Sequence, residues 1–141
     1  MDKLKRVLLV DDCKATNYIH RLVIEKYGCA ESVIEVNDGR EALTYLNTKS
    51  DGEFPQPELV FLDINMPVMN GWQFLEEYET LSAEQQAGVI VVMLTTSLNP
   101  DDAELAERTR EVKSFSSKPL TEAKLSAILA EHYPHIRKLT D

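Results

Sequence analysis

The chain lacks a long apolar run. Its longest, Val89–Leu94, is a fraction of the roughly 20 residues that cross a bilayer, so no membrane-spanning segment is expected. It also lacks a basic excess: 15 Lys and Arg stand against 24 Asp and Glu, a net charge of −9. That balance argues against nucleic-acid binding, which wants a basic face, and is compatible with cation binding. Cysteine is scarce. Cys13 and Cys29 form no metal-binding spacing, and two lone thiols of this kind are expected to be reduced and structural, as in a cytosolic chain. The start, "MDKLKRVLLVDD", has basic residues and a few apolar ones, but two acids end the run too soon for a signal peptide. No repeat, low-complexity tract or linker breaks the 141 residues. What remains is one soluble, cytoplasmic domain spanning residues 1–141, with 43% hydrophobic residues, enough for one core.

"VLLV" (Val7–Val10), "LVFL" (Leu59–Leu62) and "VIVVML" (Val89–Leu94) are continuous apolar runs bounded by acids or turn residues. Continuous rather than alternating apolarity predicts strands buried on both faces, as in a parallel sheet. "SVIEV" (Ser32–Val36) is a shorter strand, and "SFSS" (Ser114–Ser117) is placed as a strand by its position. Five helical segments alternate with them. In the first, Ala15, Tyr18, Ile19, Leu22, Val23 and Lys26–Tyr27 form the expected stripe, with Gly28 as its stop. Asp38 and Glu41 cap the second, which runs to Leu46. Gly71 opens the third, Asn99–Pro100 the fourth, and Thr121 the fifth. Five β-α units predict an α/β fold: a doubly wound, flavodoxin-like, five-stranded parallel sheet of order 2-1-3-4-5 with five helices.

In that order the ligand crevice lies outside the carboxyl ends of strands 1 and 3. Strand 1 ends in Asp11 and Asp12, and strand 3 in Asp63. Three carboxylates in one crevice repel one another unless a counter-charge joins them. Hard oxygen ligands suit Mg²⁺, which keeps several waters and takes one or two carboxylates. Strand 4 ends at Thr95, and strand 5 ends at Lys118 before Pro119. A hydroxyl and an ammonium thus join the acids at the same edge of the sheet.

The ordered set "VDD", "LDINMPVMNG", "MLTTS" and "SKP" resembles the receiver domain of two-component response regulators, over nearly the whole chain from about Lys5 to about Tyr133. The resemblance implies that Asp63 is the phosphoacceptor, in a Mg²⁺-dependent reaction. It implies that Asp12 and Asp63 are carboxylate ligands, with the main-chain carbonyl of Asn65 as a third, and that Asp11 acts on the metal through water. Thr95 is implied as the hydroxyl that swings to the phosphoryl group, and Lys118 as its cationic partner, before a cis Lys118–Pro119 bond. Phe115 falls at the aromatic switch position. The donor is then a histidine kinase or a histidine phosphotransfer protein. The chain catalyses only its own phosphorylation and dephosphorylation. Signalling is expected through helix 4, strand 5 and helix 5 of this count, to an unidentified downstream protein or through a homodimer, with no nucleic-acid or membrane partner.

Each residue also has a plainer reading. Asp11–Asp12 alone is a helix-capping pair; Thr95 alone is a strand-end hydroxyl, Lys118 a surface lysine, Phe115 a strand side chain. Trp72 is expected to pack against the sheet, and His20, His132 and His135 to be ordinary surface or helix positions. Two rival functions remain. An aspartyl-nucleophile phosphatase usually has a second acid two residues after the nucleophile, where this chain has Asn65. An unphosphorylated receiver-like interaction module typically lacks an acid or the lysine, and this chain has all of them.

Overall fold

Five strands, β1 (Leu4–Val10), β2 (Ala30–Val36), β3 (Leu59–Asp63), β4 (Ile90–Thr95) and β5 (Val112–Ser117), pair in parallel in the order β2-β1-β3-β4-β5. This is the expected doubly wound sheet. The computed structural model describes residues 3–86, 89–96, 99–136 and 138. The register aligns the strand ends, with Val10 beside both Val36 and Leu62, Leu62 beside Met93, and Met93 beside Phe115.

Successive strand side chains point to opposite faces, so a continuous apolar strand feeds two cores at once. Leu9, Phe61, Val92 and Leu94 pack with Ile24, Tyr27, Leu125 and Leu129 on one face. Leu8, Val10, Leu62 and Met93 pack with Ala42, Leu46, Phe74 and Tyr78 on the other. Each such side chain, fully buried, contributes about 1.5–3 kcal/mol of transfer free energy.

Six helices cover the faces: α1 (Lys14–Tyr27), α2 (Gly39–Leu46), α3 (Gly71–Tyr78), α4 (Ala83–Gln86), α5 (Pro100–Arg108) and α6 (Glu122–His132). Five were expected. The extra one is the single turn α4, opened by Ser82, whose Oγ accepts from the Gln85 N–H while Gln85 Oε1 accepts from the Ser82 N–H. The fourth and fifth helices of the sequence count are therefore α5 and α6. The caps Asp38, Asn99 and Thr121 each accept from a first-turn N–H as expected, and Asn70 caps α3 in a box with Gln73.

The stripe expected on α1 is only partly right: Tyr27 is in the core and Val23 packs against it, but the rest of the stripe is turned away. Tyr18, Ile19 and Leu22 are exposed, and the buried residues are Asn17, His20, Ile24 and Tyr27. The inner face of α1 meets backbone at the ends of β1 and β2 and in the loop before α6, so it carries two polar side chains that bond to that backbone. His20 Nε2 accepts from the Leu120 N–H (3.1 Å). Burial holds its imidazole below the ordinary value. His20 is thus at a helix position but is neither on the surface nor without a task. The cysteines also differ from each other. Cys29 lies in the core, whereas Cys13 is exposed at the N-terminal cap of α1. No helix among the described residues is long and apolar enough to cross a membrane.

Candidate functional site

Asp11 directly follows β1, Asp63 ends β3, Thr95 ends β4, and Lys118 follows β5. A parallel sheet brings such ends to one edge, and this one does. One carboxylate oxygen each of Asp11, Asp12 and Asp63 lies within 4.8 Å of the others. Asp11 and Asp63 are buried, at 4% and 5% exposure, while Asp12 faces solvent. The Lys118 ammonium donates to Asp11 Oδ2 at 2.5 Å and pairs with Asp63 Oδ1 at 3.0 Å.

The surrounding backbone holds this arrangement. The Cys13 N–H donates to Asp11 Oδ1 (2.9 Å), a local turn bond available to aspartate. Asn17 Nδ2 bridges the carbonyls of Asp11 and Val36 (3.1 and 3.0 Å), and Asn37 Nδ2 also donates to the Asp11 carbonyl (3.3 Å). The Lys118 N–H donates to the Thr95 carbonyl (2.7 Å), which ties the ends of β4 and β5. After Asp63 the chain turns through residues 64–70 and returns, with the Gly71 N–H donating to the Ile64 carbonyl (2.8 Å). Gly71 has to be glycine here. A Cβ would sit 2.7 Å from the Asp63 carbonyl oxygen and 2.9 Å from Met93 Cε. Val68, in the same turn, holds φ at 67°, which is costly for a β-branched residue.

The charges follow from this packing. Burial pushes the Asp63 carboxyl above its ordinary value, and Asp11 and Asp12 add to that while Lys118 opposes it. Burial alone would lower the Lys118 ammonium, but its hydrogen bonds to Asp11 and Asp63 outweigh this and raise it. Three carboxylates against one ammonium leave a formal excess of two negative charges. Oxygen donors with that excess suit a divalent hard cation. The acids therefore fit a metal, and two of them are already held by a lysine that could also meet an anion.

The sequence-predicted residues separate into those brought together and those nearby. Asp11, Asp12, Asp63 and Lys118 form the cluster. Thr95 is fully buried beside it in register with Ser117. Asn65 is exposed in the turn after Asp63. Phe115 is half-buried on the α3 face, in register with Met93. The Lys118–Pro119 bond is cis. Asn17 was missed, although a polar residue one turn after the acids was a signal. Trp72 does pack on the sheet, but its Nε1 also donates to Asp102 Oδ1 at 3.1 Å, and nothing in the local sequence announces a partner 30 residues away.

Comparison with known proteins gives one consistent result. Residues 7–130 match the response regulator receiver domain. The chain is similar to a probable methanogenesis regulatory protein, FilR2, of Methanothrix harundinacea, at 31% identity over 82% of this chain and 72% of that protein. It is similar to the response regulator Rcp1 of Synechocystis, at 33% identity over 70% of this chain and 66% of that one. Its fold matches the crystal structure of a two-component response regulator from Cytophaga hutchinsonii, with a TM-score of 0.84, 30% identity, and coverage of 94% and 98% of the two chains.

Proposed function

The chain belongs to the response regulator receiver family, and from that premise we propose that Asp63 accepts a phosphoryl group from a phosphohistidine in a Mg²⁺-dependent reaction. The donor is a histidine kinase or a histidine phosphotransfer protein. The observation that carries this reading is the meeting of Asp11, Asp12 and Asp63 within 4.8 Å, with Lys118 bonded to two of them. Asp12 and Asp63 would hold the cation with the carbonyl of Asn65. Asp11, whose two oxygens are engaged by Cys13 and Lys118, would act through water. When bound, Mg²⁺ would neutralise charge on the transferring group.

The chain's own residues do the rest. An Asp63 oxygen attacks phosphorus, the P–N bond to the donor imidazole breaks, and the imidazole leaves with the electron pair. Acyl phosphates of this kind form readily on a positioned carboxylate. Lys118, already paired with Asp63, meets the negative charge on the equatorial oxygens, and the Thr95 hydroxyl positions one of them. The chain acts on no other substrate in this reading. The residues form one receiver domain.

The new contacts to Thr95 and Lys118 shift a two-state equilibrium. These residues lead into α5 and α6, so α5, β5 and α6 are the output surface. A groove of about 460 Å³ between α5 and β5, lined by Ala103, Ala106, Val112 and Phe115 among others, supports a protein partner or a second copy there.

The test is intact mass after incubation with acetyl phosphate and Mg²⁺. Wild type should gain one phosphoryl group and Asp63→Asn none. Equal labelling of the two would remove the phosphoacceptor assignment. A Mg²⁺ titration unchanged in Asp12→Ala would remove the ligand assignment.

A further inference from the structure

The hydrogen bond from Trp72 Nε1 to Asp102 Oδ1 joins the first turn of α3 to the first turn of α5. Trp72 rides on the phosphoacceptor. It is the second residue of α3, next to Gly71, whose N–H is bonded to the Ile64 carbonyl and whose Cα is pressed against the Asp63 backbone without room for a Cβ. The Asn70–Gln73 capping box fixes that first turn as a unit. Asp102 rides on the other part. It lies in the first turn of α5, the helix that follows Thr95, and the Asn99 cap and Pro100 fix that turn in the same way. Both side chains are partly buried, so water competes with the bond only in part.

We infer that Trp72 and Asp102 form a latch that holds the start of α5 in its resting place and thereby sets how readily Thr95 reaches a group on Asp63. Both are positioning residues, and the inference rests on the phosphoacceptor reading of Asp63. The direction follows from what else is bonded. The arrangement containing the latch is the one in which Lys118 is paired with the Asp63 carboxylate itself, so the latch belongs to the unmodified form. Thr95 precedes α5 in the chain, so a shift of Thr95 toward a phosphoryl group is expected to change the Trp72–Asp102 separation. A bond present in only one of two states biases the equilibrium by its own strength.

The chain contains a single tryptophan, so its emission reports on the latch directly. Asp102→Ala removes the acceptor. Asp102→Asn removes the charge and keeps Oδ1. Trp72→Phe keeps a ring and removes the donor. Each is titrated with beryllium fluoride in excess Mg²⁺, read by amide exchange on α5 and β5. Asp102→Ala should change the emission spectrum before any addition. In both Asp102→Ala and Trp72→Phe the half-saturating concentration should fall by about threefold to tenfold, the leverage of one hydrogen bond. Asp102→Asn should stay near wild type. An unchanged or raised half-saturating concentration in Asp102→Ala and Trp72→Phe overturns the latch, as does an Asn variant that behaves like the Ala one. A wild type that does not respond overturns the latch together with the phosphoacceptor reading, whereas a responding wild type with indifferent variants overturns the latch alone.

Discussion

β3 and β5 each deliver one half of the Asp63–Lys118 pair, and they are built in opposite ways. β3 is central, apolar up to its terminal Asp63 and buried at all five positions. β5 is an edge strand of sequence "VKSFSS", nowhere fully buried, and its pairing with β4 shifts register between Val91 and Val92. The acids therefore sit on the stiff middle of the sheet, and the lysine arrives on its softest margin. On the proposed reading, a carboxylate that binds a cation and attacks phosphorus needs a fixed place, and a cation that reports the event needs a strand that can adjust. The same sheet supplies both by position, since central strands are paired on both sides and an edge strand on one only.

The largest expected effect tests that contrast directly. Phe61→Ala in β3 should destabilise by about 3–5 kcal/mol, the range for emptying a close-packed aromatic site. Phe115→Ala in β5, half-buried, should cost less than half as much by urea denaturation. It should also blunt the response of α5 and β5 to beryllium fluoride. Equal costs for the two phenylalanines would mean that β5 is as rigid as the core. Next is the pair itself. Lys118→Met leaves two buried carboxylates without their cation, a loss of about 3 kcal/mol for a broken buried pair. Saturating Mg²⁺ should restore most of it, because the metal supplies the missing charge. If stability is unchanged by Mg²⁺ in this variant, the acids do not form the metal site.

The acids were legible in the sequence because a parallel sheet leaves little choice. Once "VLLV" and "LVFL" are central strands, their terminal aspartates must share an edge. α1 shows the limit of the same method. Apolar spacing pointed rightly to Val23 and Tyr27 but wrongly to Tyr18, Ile19 and Leu22, and Asn17 and His20 are inside, because that face bonds to strand-end and loop backbone as well as to side chains. Periodicity records apolar residues and is silent about polar ones with a buried partner. α4 was readable from "SAEQ", a capping-box pattern, but a single turn has no period to find. The Trp72–Asp102 bond depends on two helices meeting in space, which no local pattern records.

The turn after β3 offers a smaller effect of the opposite sign. Val68 is 92% exposed with φ at 67°, so its side chain contributes strain and almost no burial. Val68→Gly should stabilise by about 1 kcal/mol, since left-handed backbone costs a β-branched residue about 1–2 kcal/mol and glycine nothing comparable. Part of that gain is offset by the looser unfolded chain. A destabilised variant would show that the Val68 side chain holds the turn.

His20 should make stability depend on pH. Its folded value lies below the ordinary 6.5 because the ring is buried, and its Nε2 already accepts from Leu120. The unfolded chain therefore takes up a proton first as pH falls. Stability contributed by neutral His20 is complete above pH 6.5 and is lost below it. His20→Gln removes the titration, so the difference in stability between wild type and variant should shrink from pH 7.5 towards pH 5.5. A constant difference across that range would show that the ring does not titrate differently on folding.

The smallest expected effect concerns how long the phosphoryl group persists. Hydrolysis needs a water in line with the Asp63–phosphorus bond. Thr95 is fully buried, while Thr96, the next residue, is exposed just beyond the end of β4. Asn65, two residues after Asp63, is also exposed. Ser97, the next residue, lies outside the described residues. Neither Thr96 nor Asn65 carries a carboxylate to activate water, and the β-branched Thr96 is bulkier and stiffer than alanine. If Asp63 is the phosphoacceptor, slow self-dephosphorylation is the expected outcome, with Thr96 narrowing the path. Thr96→Ala should shorten the phosphoprotein's lifetime in Mg²⁺ a few-fold, measured as decay of the phosphorylated mass, while leaving labelling and melting temperature unchanged. Decay at the wild-type rate or slower would remove the steric argument. It would then place control of lifetime on the groups that hold Asp63, where the stiff central strands rather than the open margin would decide it.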